Sequence, residues 1–474
     1  MPTSYLPYEP DQQFLLPPSL QEWLPSGHLA HYINDTVDAL DLSAFFKRYE
    51  GGGSRNQPFH PAMMVKVLVY GYATGVFSSR KIARKLHEDV AFRVLAAGNF
   101  PKHRTISDFR ALHLQELAAL FVQVLKLAGE CGLVKLGTIA VDGTKLRANA
   151  SKHKAMSYQR MQAAEVELKA QVDALLKRAA QVDKAEANEP ELDIPAEIER
   201  RQERLAVIAA AKQRLEQRQR EADDQRGRKP GDTQQAKAKK PEAERDDDDA
   251  GGAGSSAQDS ATPADTASSD EQPATLKQRG PAFKRPYGEP RPKAQDNFTD
   301  PDSRIMKTST GFEQCFNAQT AVDAQAQIIV AAELGNYATD VAQLPAMLAA
   351  VERNTGQLPG TVLADAGYRS EAVLAELSEL PCEVIVALGR EGKAQAVIDT
   401  DKYPHTAAMA AKLQTKEGRD KYRRRKAIVE PPNSWIKRAL GFQQFSFRGL
   451  EKVRCEFKLV CAVLNLRRMA TMRA

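Results

Sequence analysis

Two short apolar runs, far apart in the chain, end in the same way. Thr138-Ile139-Ala140-Val141 runs into Asp142-Gly143, and Thr361-Val362-Leu363-Ala364 runs into Asp365-Ala366-Gly367. A short apolar run bounded by turn-forming residues reads as a buried strand. Each run therefore predicts a strand that stops in a tight turn and holds a carboxylate at its end. By itself an Asp-Gly pair marks only a turn. Its recurrence with a strand in front of it is what points to chemistry, because a carboxylate on a rigid element is a well-placed metal ligand.

A third acid answers these two. Residues 422–437, YRRRKAIVEPPNSWIK, contain one carboxylate, Glu430, among cations. Three acids on separate elements suit Mg²⁺, which takes one or two carboxylates and fills its shell with water and phosphate oxygens. Two such ions can clamp the attacking and leaving oxygens of an in-line phosphoryl displacement. A solvated basic helix is the plain alternative for 422–437, but it does not explain a lone Glu among cations.

In this order and context, Asp142, Asp365 and Glu430 resemble the Asp-Asp-Glu triad of insertion-sequence transposases. Tyr422, Arg425, Glu430 and Lys437 resemble the Tyr-Arg-Glu-Lys signature of that group, with one residue more between Arg and Glu than its usual form, so that Arg424 and Lys426 are alternatives to Arg425. The stretch Asp300-Pro301-Asp302-Ser303-Arg304 also resembles a feature of the group. The resemblance extends over most of the chain outside the insertion described below. It implies a ribonuclease H-like catalytic domain, an α/β mixed sheet flanked by helices. It implies two Mg²⁺ ions, for which Mn²⁺ can substitute, with Asp142 and Asp365 bridging them and Glu430 holding the second. The implied reaction is cleavage at element ends followed by attack of the 3′-hydroxyl on target DNA. Implied partners are double-stranded DNA, as terminal inverted repeats and target, and further copies of the chain as a homodimer or higher assembly. Tyr422, Arg425 and Lys437 would position the phosphate backbone, and Arg438 adds to the basic patch. Two rival readings are a metal-dependent nuclease without strand transfer and an inactive DNA-binding protein derived from a transposase.

Residues 1–115 predict an all-α domain. Apolar spacing gives helices over 29–46, 62–72, 80–86 and 89–97, and a further helix capped near Ser107. Basic residues on these short helices suit a helix-turn-helix module, with Arg104, Ser107 and Arg110 offered to a groove; this region resembles the N-terminal domain of InsH-type transposases. The plain alternative is a helical bundle with a solvated basic face. Residues 116–151 and 296–474 form the expected catalytic domain. Between its parts, 152–225 carry two heptad seams, Met161, Leu168, Val172, Leu175, Ala179, Val182 and then Ile198, Leu205, Ile208, Leu215. They read as an antiparallel helical hairpin, each arm about 40 Å long. Residues 226–295, rich in Gly, Ser, Ala, Thr, Pro and acids, read as a disordered linker. In the catalytic part, hairpin strands are expected over 312–334, helices over 341–353 and 371–377, a strand over 382–388, no clear pattern over 391–418, and a last helix over 453–466. Pro431-Pro432 is expected to interrupt the helix over 416–429 at Glu430.

Bulk properties set limits. Basic residues number 67 against 61 acidic, a net charge of +6 that is informative only in its distribution. Five cysteines, at 131, 315, 382, 455 and 461, form no Cys-x-x-Cys pair, which disfavours a zinc site and suits reduced thiols. The absence of a signal peptide and of a run of eighteen apolar residues leads to the expectation of a cytoplasmic, nucleoid-associated protein with no membrane contact.

Overall fold

The computed structural model describes residues 19–49, 57–182, 194–232, 234–236, 279–309, 311–389 and 398–473. The chain forms two compact units, residues 1–155 with 297–474, and residues 156–296.

The first unit is built on a sheet. Strand β1 is Thr138–Arg147, β2 Arg304–Thr308, β3 Gly311–Asp323, β4 Ile329–Gly335, β5 Thr361–Ala364 and β6 Glu383–Val386. The order across the sheet is β6-β5-β1-β3, with β2 and β4 paired end to end along the far edge of β3. β1 runs antiparallel to β3 and parallel to β5, and β5 parallel to β6. β1 is therefore central, and Ile139, Ala140 and Val141 are fully buried. Its start is fixed by the buried carboxylate of Asp323, which accepts from the backbone N–H of Leu136 at 2.7 Å and of Lys135 at 3.3 Å.

The strand holding Asp142 differs from the sequence expectation. It does not stop at Asp142-Gly143 but continues to Arg147, paired with β3 throughout. Gly143 is an extended residue in mid-strand. Its lack of a side chain serves packing and not a turn: a Cβ there would lie 2.6 Å from Gln319 Nε2 and 2.8 Å from Asp340 Oδ1.

Helices of this unit are α1 Leu29–Ala39, α2 Ser43–Phe46, α3 Pro61–Ala73, α4 Ser79–Glu88, α5 Val90–Leu95, α6 His103–Leu112, α7 Leu114–Glu130, α8 Gln343–Thr355, α9 Glu371–Ser378, α10 Pro404–Gln414, α11 Lys416–Ser434 and α12 Leu450–Arg473. The expected helix over 29–46 is two, because Leu40 is extended and Asp41 makes a local turn ahead of α2, its Oδ1 accepting from Ser43 N–H at 2.9 Å. The last of the N-terminal helices starts at His103, so Ser107 lies within α6 and caps nothing. Helix α10 falls where no local pattern is legible. Its start is held by another helix, Glu371 of α9 accepting from the N–H groups of His405 and Thr406.

The N-terminal helices and the sheet share one core. α12 makes this so. Val453, Phe457, Val460, Cys461 and Leu464 are all buried, on several faces of the helix, which packs on α7, α3 and β4. Its start is capped by the stretch at 300–304, where Asp302 Oδ2 accepts from Leu450 N–H at 2.9 Å and Asp300 Oδ1 from Gly449 N–H at 3.2 Å.

α11 runs through Pro431 and Pro432 to Ser434, followed by one π-helical turn, Trp435–Ala439. The expected interruption at Glu430 is absent. Pro431 cannot donate to the carbonyl of Ala427, and Gln327 Nε2 donates to that carbonyl instead, at 2.8 Å. The wider turn after the prolines is a common way to absorb such a defect.

In the second unit, helices Tyr158–Val182 and Ile194–Gln225 pack antiparallel. The pairs Tyr158–Glu216, Glu165–Lys212 and Gln171–Arg201 fix the direction, one number rising as the other falls. Met161, Val172, Ile208 and Leu215 are buried along the seam; the side chains of Ala179 and Val182 lie outside the described residues. Within the expected linker, residues flanking the undescribed 237–278 are ordered. Arg228 lies over the Phe283 ring at 3.9 Å and donates to the Arg285 carbonyl, and Asp223 accepts from Gly288 N–H at 2.9 Å. Phe283 supplies a ring for Arg228, and the Tyr287 hydroxyl donates to Asp224 at 2.6 Å, local contacts that composition alone hides. Among the described residues, no single helix is long and apolar enough to cross a membrane.

Candidate active site

Asp142 and Asp365 are brought together. Val141 is paired with Ala364 across the parallel β1–β5 ladder, so the next residue on each strand is a carboxylate at the same level. Asp365 leaves the strand and caps a 3₁₀ turn, Ala366–Tyr368, its Oδ1 accepting from Gly367 N–H at 2.9 Å. Asp142 stays in the strand. Burial pushes its carboxyl from an ordinary 3.8 up to about 6; Arg425 opposes the rise and Asp365 adds to it.

α11 closes over Asp142. Asn433 Nδ2 donates to Asp142 Oδ2 at 3.3 Å, and Thr320 of β3 donates to Asn433 Oδ1 at 3.0 Å, which fixes the amide's orientation. Arg425 is buried, with Nη1 3.9 Å from Asp142 Oδ1. Burial works against its charge, and Tyr422, Asp142 and Asp365 more than offset that, so its pKa rises. Its Nε and Nη1 make no hydrogen bond. Lys437, half-buried, is held below the usual lysine range first by burial, with Cys315 and Asp142 acting the other way.

A second set of polar groups stands behind the acids. Asp340, in the loop before α8, accepts at Oδ1 from Asn317 Nδ2 at 2.5 Å and from Gln319 Nε2 at 2.6 Å, with Lys145 Nζ 3.7 Å away. The Tyr368 hydroxyl donates to Gln319 Oε1. Burial pushes the Tyr368 phenol far up, with Asp340, Asp142 and Asp365 adding, so it remains a donor. Asp340, Asn433, Gln319 and Tyr368 are not singled out by sequence reading. The one available signal is in β3, where the polar Asn317 and Gln319 alternate with the apolar Phe316 and Ala318.

The other expected site residues divide. Glu430 lies in α11 between Arg425 and Asn433, but its side chain is exposed. Among the described residues no three His, Cys, Asp or Glu side chains form a group that could hold a metal ion. The donor set at Asp142 and Asp365 nevertheless fits a divalent cation: two carboxylates at one level, one of them desolvated and faced by a single guanidinium beyond hydrogen-bond range. Tyr422 is half-buried, and Arg438 is exposed with Arg423, Arg424 and Lys426. In the N-terminal helices Arg104 is exposed and Ser107 half-buried. Arg110 corrects the expectation. It is buried, donates to the Phe77 carbonyl at 2.7 Å and to the Tyr72 hydroxyl at 3.2 Å, and lies over the Phe447 ring at 5.0 Å. The Tyr72 hydroxyl donates onward to the buried carboxylate of Glu456 in α12 at 3.0 Å. α6 turns Ile106, Phe109 and Arg110 inward together, so Arg110 belongs to the core and not to a DNA-facing surface.

Comparison with known proteins gives two family matches. The Transposase domain (DUF772) matches residues 18–112, and the Transposase DDE domain matches residues 289–466. No curated protein and no solved structure matches the chain. The two matched regions together span more than half of the 474 residues, in the order expected from the sequence, and the chain belongs to the transposases of the DDE type, consistent with an insertion-sequence transposase.

Proposed function

We propose that this transposase cleaves DNA at the ends of an insertion sequence and joins the freed 3′-hydroxyls to target DNA. The observation that carries the reading is the level pairing of Asp142 and Asp365 on the adjacent parallel strands β1 and β5. Strand order β4-β3-β1-β5-β6, with antiparallel pairs on one side of β1 and parallel pairs on the other, supports a ribonuclease H-like catalytic domain. Asp142 and Asp365 would hold Mg²⁺ or Mn²⁺, with Glu430 joining from α11. Glu430 is one helical turn before Asn433, about 60° around the helix from it, so its side chain borders the face that meets Asp142. A divalent cation bound there supplies positive charge to the phosphate oxygens of the scissile bond.

The chain's own groups do the rest. Asn433 orients the Asp142 carboxylate. Arg425 limits the charge repulsion between Asp142 and Asp365. Lys437, with Arg438 and the exposed cations of α11, holds the DNA backbone near the cut, since phosphate contacts fix register without reading sequence. Recognition of the terminal repeats falls to the N-terminal helices, where Arg80, Lys81, Arg84 and Arg104 are exposed. Two copies acting on paired ends, in the cytoplasm, complete the proposal.

The test uses the full chain, a labelled duplex carrying an element end, and a supercoiled target plasmid, with Mg²⁺ at fixed salt. The expected result is strand cleavage at the element boundary followed by joined product. Cleavage without any joined product would favour a nuclease, and binding without either would favour an inactive DNA-binding protein.

A further inference from the structure

Asp340 is a carboxylate that neither the sequence signature nor the family matches single out, yet it touches the supports of both catalytic strands. Its Oδ1 accepts from Asn317 and Gln319, both on β3. Gln319 is the cross-strand partner of Gly143, the residue after Asp142, and Asn317 is the partner of Lys145. Only a glycine at 143 leaves room for this arrangement, since a Cβ there would meet both Gln319 and Asp340 closer than 3.0 Å. On the other side, Gln319 accepts from the Tyr368 hydroxyl, and Tyr368 closes the 3₁₀ turn that Asp365 caps. Asp340 Oδ2 lies against that turn as well, 3.6 Å from where a Cβ on Gly367 would be. Lys145 anchors the loop from above, donating to the Ala338 carbonyl at 2.9 Å.

We infer that Asp340 is a positioning residue for the reaction: through Gln319 and Tyr368 it fixes the turn that presents Asp365 beside Asp142. The hydrogen-bond directions leave one consistent assignment. Asp340 is acceptor only, so the Gln319 amino group must point to it, and the Gln319 carbonyl is then left for the Tyr368 hydroxyl. The chain Tyr368–Gln319–Asp340 thus has one polarity, and it ends on the carboxylate. An outer support of this kind typically contributes 10- to 100-fold to metal affinity or activity. The inference rests on Asp142 and Asp365 being the reacting pair.

The experiment compares wild type, Asp340→Asn, Gln319→Glu and the double variant in the full chain. Two readouts are taken: single-turnover cleavage at saturating end DNA, and hydrogen exchange of the amides at 366–369 without DNA. Asp340→Asn removes the acceptor charge, and Gln319→Glu faces one carboxylate with another. Each is expected to slow cleavage by about 10- to 100-fold, to leave DNA affinity within about two-fold, and to speed exchange at 366–369. In the double variant the amide introduced at position 340 can donate one hydrogen to the carboxylate introduced at position 319 and, once the Asn317 amide turns over, the other to Asn317 Oδ1, which has no partner in the wild type. That carboxylate still accepts from Tyr368, so most of both effects is expected to return. Unchanged exchange at 366–369 in Asp340→Asn, or no recovery in the double variant, overturns the inference. If wild type does not cleave while the exchange pattern follows this order, the positioning stands and the proposed reaction fails.

Discussion

Asp142→Asn is expected to abolish DNA cleavage and, in the absence of divalent metal, to make the protein more stable. The two effects share a cause. Asp142 is desolvated beside Asp365, with Arg425 too far for a hydrogen bond, and its carboxyl is pushed up to about 6. An isosteric amide keeps the contact with Asn433 and removes the buried charge. Losing a ligand that contributes several kcal/mol of charge stabilisation lowers the cleavage rate on the order of 10³-fold or more. Near pH 8 the same change is expected to stabilise the metal-free protein by about 2 kcal/mol, the cost of holding ionised a carboxyl that burial raises from 3.8 to about 6, reduced for partial exposure. The sign follows from linkage. The folded-state pKa lies above the unfolded one, so the native state holds a proton that the unfolded state has released. Its stabilising contribution is full below about pH 4 and is lost as pH rises through about 6. The stability gap between Asp142→Asn and wild type is therefore expected to be small at pH 4 and to widen up to pH 8. Thermal melts across that range in chelator, compared with melts in Mg²⁺, measure it. A gap that shrinks with rising pH contradicts the assigned burial of this carboxylate.

The second large effect is structural. Arg110→Ala is expected to cost about 3 kcal/mol of stability, the lower end of what breaking a buried charge pair costs. The guanidinium sits among Tyr72, the Phe77 carbonyl and the Phe447 ring, and it is the cation that offsets the fully buried Glu456. Glu456 keeps Ser446 N–H at 2.8 Å and the Tyr72 hydroxyl when Arg110 is gone, which limits the loss. Because α6 and α12 meet at this cluster, the N-terminal helices and the sheet are expected to melt together in the wild type and to lose stability together in the variant. Arg104→Ala, at an exposed position of the same helix, is expected to change stability by less than about 0.5 kcal/mol while weakening binding to element ends. Urea unfolding of both variants, followed by end-binding assays, separates a core arginine from a DNA-facing one.

The contrast between Arg104 and Arg110 shows what the sequence could and could not disclose. Helix period says that residues 106, 109 and 110 share a side, but a basic residue on that side reads as groove-facing because nothing local reveals a buried Glu 346 positions later. Asp142 and Asp365 are legible because an apolar run followed by Asp and a nearby Gly is a local signal. The continuation of β1 past Asp142 was not, since Gly143 is explained by Asp340, a residue on a distant loop. The passage of α11 through Pro431 and Pro432 depends on Gln327 reaching the Ala427 carbonyl, again a non-local partner. Helix α10 opens on Pro404, a local start signal, but the groups that hold its first turn come from Glu371 of another helix. Local periodicity thus placed most elements and both aspartates, and the groups that orient those aspartates came only from tertiary contact.

Mn²⁺ binding followed by electron paramagnetic resonance, with wild type, Asp142→Asn, Asp365→Asn and Glu430→Gln in the full chain without DNA, tests the paired-carboxylate site most directly. The expected result is a bound-Mn²⁺ signal in wild type that weakens at least ten-fold in affinity in either aspartate variant and changes less in Glu430→Gln, whose side chain is exposed and makes no described contact with the other two acids. Wild-type Mn²⁺ affinity in the Asp142→Asn and Asp365→Asn variants would contradict the assignment of these two residues as the metal-holding pair.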